Sequence, residues 1–272
     1  MPERPVLGAA MPIGEIGRHR DWLIERDRPL EIQDFCLPMV LDADWRPLIA
    51  LAKRKLDGWS GPLGIHGPFY DLPLDATDPE ARALVQRRYG QGLDVAEALG
   101  ATMMVIHSPF STWGAQNDFL APKGREHVIE RVEATLRPLL SRAEAAGIVL
   151  AVENIEDEDA EHRAAIVDAL GSPALGVSLD TGHAHYVHVS RGGRPVDWHV
   201  LGARGRLVHV HLQDADGYAD RHWPPGMGTV PFAPVFAALG AHAPGARLIL
   251  EMADPSTILP GARWLAERGL AA

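Results

Sequence analysis

Six short apolar runs of this chain each end in a residue that can bind a metal ion or move a proton. "PLGIHGPF" (62–69) ends in His66, "TMMVIHSPF" (102–110) in His107 and "IVLAVENI" (148–155) in Glu153. "LGVSLDTG" (175–182) ends in Asp180, with His183 three residues on; "RLVHVHLQD" (206–214) ends in His211 and "RLILEMAD" (247–254) in Glu251. A single histidine at such a place is most often a hydrogen-bonded core or loop residue. A carboxylate inside an otherwise apolar strand needs a counter-charge, because burying it alone is costly. Glu153, Asp180 and Glu251 all meet that description. Mixed histidine and carboxylate donors suit zinc, manganese or iron better than calcium, which takes oxygen ligands.

The stretch "HVHLQDADGYADRHWPPGMG" (209–228) adds three histidines and three aspartates. His209 and His211 share a strand face because the side-chain period is two. His211 is nearer the C-terminal end and is the expected ligand; His209 is expected one layer deeper, packing or supporting. Asp220 and His222 lie two apart, so an extended loop would point both the same way at one ion. The following "PPG" stiffens that loop. A solvated turn is the alternative for the same residues.

The positioning elements repeat. With "PVLGAAMP" (5–12) and "PLEIQDF" (29–35) there are eight candidate strands, and helix-like segments such as 80–99, 124–146 and 161–170 lie between them. Gly100, Gly147 and Gly171 stand where helix ends are expected. Apolar strands alternating with helices imply a parallel sheet covered on both faces. Eight repeats in 272 residues fit one closed (β/α)8 barrel, an α/β TIM-barrel fold spanning 1–272 as a single domain. An open doubly wound sheet would offer a glycine-rich phosphate loop after the first strand, and "AAMPIGEIG" is not one. In a barrel, residues at strand C-termini share one rim, which gathers the six strand ends into one place.

Hydrophobic residues make up 46% of the chain and charged residues 23%, a soluble globular balance. No apolar run is long enough to span a membrane, and "MPERPVLGAAMPIG" does not read as a secretory signal. The single Cys36 excludes an internal disulfide framework and fits a reducing, cytoplasmic compartment. A formal net charge of −10 disfavours nucleic acid as a partner. The loops "FYDLPLDATDPE" and "DEDAEH" are acidic, and no lysine or arginine at a strand end marks a phosphate pocket.

From "IHGPF" through "VIHSPF", "AVEN", "SLDTGHAH" and "HVHLQD" to "DRHWPPGMG" and "LILEM", the chain resembles the xylose isomerase-like barrel superfamily. That group includes sugar-phosphate isomerases and epimerases and the type IV apurinic endonucleases. The resemblance implies a central divalent ion, zinc or manganese, on Glu153, Asp180, His211 and Glu251. Its endonuclease branch implies a second ion on His66 and His107 bridged by Glu153, and a third on His183, Asp220 and His222, so one to three ions per chain. In the epimerase branch the counterparts of Glu153 and Glu251 are paired acid/base carboxylates, and that of His183 contacts substrate.

The lead expectation is a metal-dependent sugar or sugar-phosphate isomerase or epimerase. It would shift a proton beside a metal-bound carbonyl, with His66 and His183 orienting hydroxyls and Trp113 and Phe69 as an apolar wall. A keto-sugar dehydratase shares the first step. A zinc-dependent phosphodiesterase of the apurinic class is the alternative, and a sugar-binding barrel without catalysis is a third. Related barrels form dimers or tetramers, which makes a homo-oligomer possible.

Overall fold

The computed structural model describes residues 4–120 and 124–272; Met1–Glu3 of the N-terminal segment lie outside the described residues. Eight strands run in chain order: β1 Leu7–Met11, β2 Leu30–Ile32, β3 Leu63–His66, β4 Met103–His107, β5 Val149–Glu153, β6 Leu175–Asp180, β7 Leu207–Leu212 and β8 Arg247–Leu250. Each pairs in parallel with the next, and β8 closes onto β1. The chain is a closed (β/α)8 barrel. All eight strands lie inside the expected segments and are shorter than them, because the polar ends leave the ladder to become rim. No helix among the described residues is long and apolar enough to cross a membrane.

Local chemistry sets the helix limits. The helix Pro79–Leu99 starts at Asp78, whose side chain accepts from the Glu80 amide, with Pro79 at its first position. It ends at Gly100 in the left-handed region, at φ 79°. Gly124–Ala146 and Glu161–Leu170 also match the expected spans, and Gly171 closes the latter at φ 61°.

The apolar core is divided unequally. A large cluster joins residues such as Ile65, Val152, Leu179 and Val210 to the helices outside the sheet. A small one, Met103, Val105 and Ala151, sits on the other strand face. By the two-residue period that face also carries His107 and Glu153, so it is the barrel interior. The interior is therefore apolar low in β4 and β5 and polar towards the C-terminal mouth. Register carries the polar residues there together: His107 pairs with Glu153, and Asp180 with His211.

One buried arginine ties the central strands to a helix. Arg163 is fully buried. It donates to the Val152 carbonyl at 3.2 Å and to the Ser178 carbonyl, and its Nε lies 2.9 Å from Asp157 Oδ1. Asp157 also accepts from Ser108 Oγ at 2.7 Å. Val152 and Ser178 are close neighbours of Glu153 and Asp180, so this pair sets the height of both carboxylates. Arg163→Ala leaves a buried carboxylate unpaired and is expected to cost about 3–5 kcal/mol. Urea unfolding measures it, and a loss under about 1 kcal/mol would contradict this role.

Candidate metal centre

Nine of the residues named from sequence converge on the mouth in three groups, two of which share Glu153. The ligand atoms of Glu153, Asp180, His211 and Glu251 all lie within 4.8 Å of one another, and all four residues are buried. His66, His107 and Glu153 form a second group by the same measure, and His183, Asp220 and His222 a third.

In the central group, His211 Nδ1 is 2.7 Å from Glu153 Oε1 and 3.3 Å from Glu251 Oε2. Asp180 is set by two devices. Its backbone exchanges hydrogen bonds with the Asn154 amide side chain, at 2.9 and 3.0 Å, which staples β6 to β5. Its Oδ1 caps the helix Thr181–Arg191, accepting from the His183 amide at 2.7 Å. In the second group, His66 and His107 Nε2 stand 3.7 and 3.8 Å from Glu153 Oε2. Those gaps are too long for hydrogen bonds. In the third group, His183 and His222 Nε2 are 3.3 and 3.2 Å from Asp220 Oδ2.

The loop carrying Asp220 and His222 is not extended as expected. His222 sits in the left-handed region at φ 48°, and Asp214 and Trp223 pair as an antiparallel bridge. Asp214 is buried and accepts from the amides of Gly226 and Val230, which pins the "PPG" turn. Asp216 instead turns outward and holds Arg221. Gln213 does the joining. Its amide nitrogen donates to Asp180 Oδ1 at 3.1 Å and Asp220 Oδ1 at 2.9 Å, and its Oε1 accepts from the His222 amide. A Cβ on Gly182 would lie 2.2 Å from that side chain, so glycine is required there.

Electrostatics mark the cluster as incomplete without cations. Glu153 Oε2 and Asp180 Oδ2 are buried with no hydrogen-bond partner among the described residues. Burial pushes the Asp180 carboxyl up to about 6, His183 opposing and Glu153 adding to it. Burial works against charge on His211, but the Glu251, Glu153 and Glu31 carboxylates outweigh it and hold its pKa well above the usual value. His222 is raised to about 9 against burial by Asp220 and Glu251. Burial and the charge of His66 lower His107 to about 3. Orphaned buried carboxylate oxygens facing histidine nitrogens are the donor set that divalent transition metals take. The Nδ1 atoms of two of these rings are anchored: His66 Nδ1 donates to the Gly67 carbonyl and His183 Nδ1 to that of Asn154, both at 2.9 Å. Such outer contacts orient histidine ligands.

Above the donors lies a cleft of about 390 Å³, whose wall includes Gln33, Cys36, Phe69, Tyr70 and Ile155. Among the described residues, no lysine or arginine lines it. Phe69 stacks on His107, with ring centroids 4.3 Å apart. A more open lobe of about 560 Å³ shares Phe69, His107 and Ile155 with it. Trp113 lines neither lobe and is 71% exposed on a short helix, so the apolar wall is Phe69 with Tyr70 instead. Sequence reasoning passed over Glu31, Gln33 and Gln213. Glu31 carried a usable signal, a carboxylate inside the apolar strand "PLEIQDF". The two glutamines carried none.

Comparison with known proteins now decides the family. Residues 38–268 match the model of the xylose isomerase-like TIM barrel. The chain belongs to that family. A protein of Thermus thermophilus, crystallised and soaked with zinc chloride, is 28% identical, with a TM-score of 0.70 over 97% of this chain and 98% of that one. A D-tagatose 3-epimerase-like protein is 21% identical, with a TM-score of 0.74 over 96% of both chains. The 3-keto-D-glucoside 4-epimerase of E. coli is 17% identical, with a TM-score of 0.70 over 97% of this chain and all of that one (100%). An uncharacterised protein of Methanocaldococcus jannaschii is 24% identical over 185 residues; the match covers 64% of this chain and 59% of that relative's length. The barrel thus shares its fold with sugar epimerases.

Titrating the metal-free chain with zinc is expected to fill up to three positions and release protons, because His211, His183 and His222 hold theirs tightly without metal. Protons compete with the ion, so uptake strengthens as pH rises from 6 towards 9. His222→Ala should remove one equivalent, and His211→Ala should lower content more than His209→Ala. Uptake that weakens with rising pH, or equal losses at His209 and His211, would contradict these assignments.

Proposed function

We propose that the chain is a divalent-metal-dependent sugar isomerase or epimerase, acting on a small neutral sugar. The observation that carries this is the pair Glu153 and Glu251 flanking His211 Nδ1, beneath a cleft whose lining includes carboxylates, histidines and aromatic rings but no lysine or arginine. The family membership and the likeness to sugar epimerases support it. So does the zinc-soaked relative, for the use of a metal.

Glu153, Asp180, His211 and Glu251 would hold a divalent ion, zinc or manganese, which would supply Lewis acidity. Glu153 is the base. Without metal, burial opposes its charge, but His211 and His66 hold its pKa well below the ordinary carboxylate value. Its Oε2, free of hydrogen bonds, is the oxygen that takes the proton. Glu251 returns a proton from the other side, its Oε1 fixed by the Gln33 amide at 2.8 Å. His66 and His183 orient hydroxyls, and Phe69 supports the apolar edge of the ring. A phosphate on the substrate would find no lysine or arginine along the wall, which is why a neutral sugar is favoured.

One observation favours a second reading. Glu153 Oε2 also faces His66 and His107, and an ion there would take the oxygen that isomerisation needs as base. A chain with three filled groups suits metal-assisted phosphoester hydrolysis instead. The number of ions in the working enzyme separates the two.

With manganese and a panel of ketoses in heavy water, wild-type protein is expected to incorporate deuterium at the carbon beside the carbonyl of one sugar. Glu153→Gln should lower that exchange by about 10²–10⁴ while sugar binding persists. Cleavage of a phosphodiester or an abasic duplex at physiological salt, with no exchange into any sugar, would overturn the proposal.

A further inference from the structure

Beneath the site lies a second polar layer that the proposed chemistry does not use. Glu31 on β2 is buried at 2% exposure and faces the barrel axis. Its Oε1 is 3.0 Å from His211 Nε2, and its Oε2 is 3.2 Å from His209 Nε2. His209 is itself fully buried, and its Nδ1 lies 2.9 Å from Ser178 Oγ. The rings of His209 and His211 meet edge to face, with centroids 4.6 Å apart. A chain of contacts therefore runs from Ser178 on β6 through His209 to Glu31, and from Glu31 up to His211.

An imidazole binds a metal through one nitrogen, and the bond made by the other nitrogen decides which. Along β7, His211 has Nε2 pointing down at Glu31 and Nδ1 pointing up between Glu153 and Glu251. A carboxylate is only an acceptor, so with an ion on Nδ1 the one remaining ring proton of His211 would sit on Nε2, facing Glu31. We propose that Glu31 is the positioning residue of the central metal group: it accepts the Nε2–H of His211 from below and fixes the ring so that Nδ1 faces Glu153, Asp180 and Glu251, and its other oxygen lies 3.2 Å from His209 Nε2. Geometry gives the same answer from the neighbouring histidines. His66 and His183 also spend one ring nitrogen, Nδ1, on a fixed acceptor within hydrogen-bond distance, but theirs are neutral backbone carbonyls. Of these three, His211 alone is backed by a carboxylate, which makes its ring the more basic ligand.

This inference requires ion binding at the central group and holds for either chemistry in that site. The test is zinc affinity of the full-length chain, read by competition with a chromophoric chelator, and the visible spectrum of its cobalt-substituted form. Glu31→Gln keeps size and hydrogen-bonding capacity but removes the charge. It is expected to weaken the central group for zinc by about 10–100-fold. Uptake by His183, Asp220 and His222, which do not touch Glu31, should stay within about twofold of wild type. If Glu31→Gln does not fold by circular dichroism, His209→Gln frees Glu31 from its second partner and is expected to shift the cobalt bands of the central group. Unchanged affinity in a folded Glu31→Gln protein, or an unchanged cobalt spectrum in His209→Gln, would overturn the proposal. So would loss of one whole equivalent of zinc on Glu31→Gln with the central group unaltered, because Glu31, His209 and His211 would then be an ion site of their own. A wild-type chain that takes up no ion would fail the metal reading of the site as well, and is told apart from these outcomes by that.

Discussion

Everything at the mouth of this barrel depends on the cost of burying carboxylates close together. Glu153, Asp180 and Glu251 converge on one point, with Glu31 below and Asp220 beside it. Two of their oxygens have no partner among the described residues. Like charges at this range disfavour one another, and burial disfavours each alone. Without metal the protein answers by holding protons on His211, His183 and His222. Divalent cations answer the same need with bonds of fixed length. The cluster holds two buried carboxylate oxygens without a hydrogen-bond partner among the described residues, which supports reading it as the metal site.

The rest of the barrel serves to hold those groups still. Strand register alone sets His107 beside Glu153 and Asp180 beside His211. Side-chain amides refine the positions: Asn154 joins β5 to β6, Gln33 fixes Glu251, and Gln213 locks the third group to the first. Outside the sheet, the Arg163–Asp157 pair ties the same two strands to a helix. Apolar packing is the larger energy, but these polar contacts decide where a carboxylate oxygen sits to within a few tenths of an ångström.

The strand ends were legible in the sequence because a charged residue closing an apolar run is improbable unless something pairs with it. That reasoning reached Glu153, Asp180 and Glu251, and the eight-fold alternation placed them on one rim. It expected His209 below His211, where the structure has it. It also weighed Asp220 and His222 against a solvated turn, and they lie in the cluster. The loop's path was not legible: a left-handed His222 and the Asp214–Trp223 bridge arise from long-range contacts with Gln213 and β7 that no local pattern encodes. Trp113 looked like a wall residue by its place after β4, yet its helix turns it to solvent. Glu31 was missed although the rule that found Glu153 applies to it, because β2 ends one residue later and its carboxylate lies below the rim.

Two chemistries share this first layer and differ in the use of one oxygen. Under the proposed isomerase reading Glu153 Oε2 would carry a proton; under the hydrolytic one it would be a ligand to an ion held by His66 and His107. Both proposals place an ion on Glu153, Asp180, His211 and Glu251, so the central group is the claim on which the others rest. Anomalous diffraction at the zinc edge from crystals of the zinc-loaded chain tests it most directly. The expected map has a strong peak bonded to those four residues, with His211 contributing Nδ1. A folded, zinc-loaded protein with no peak there, or with its ions only on the outer surface, would contradict it.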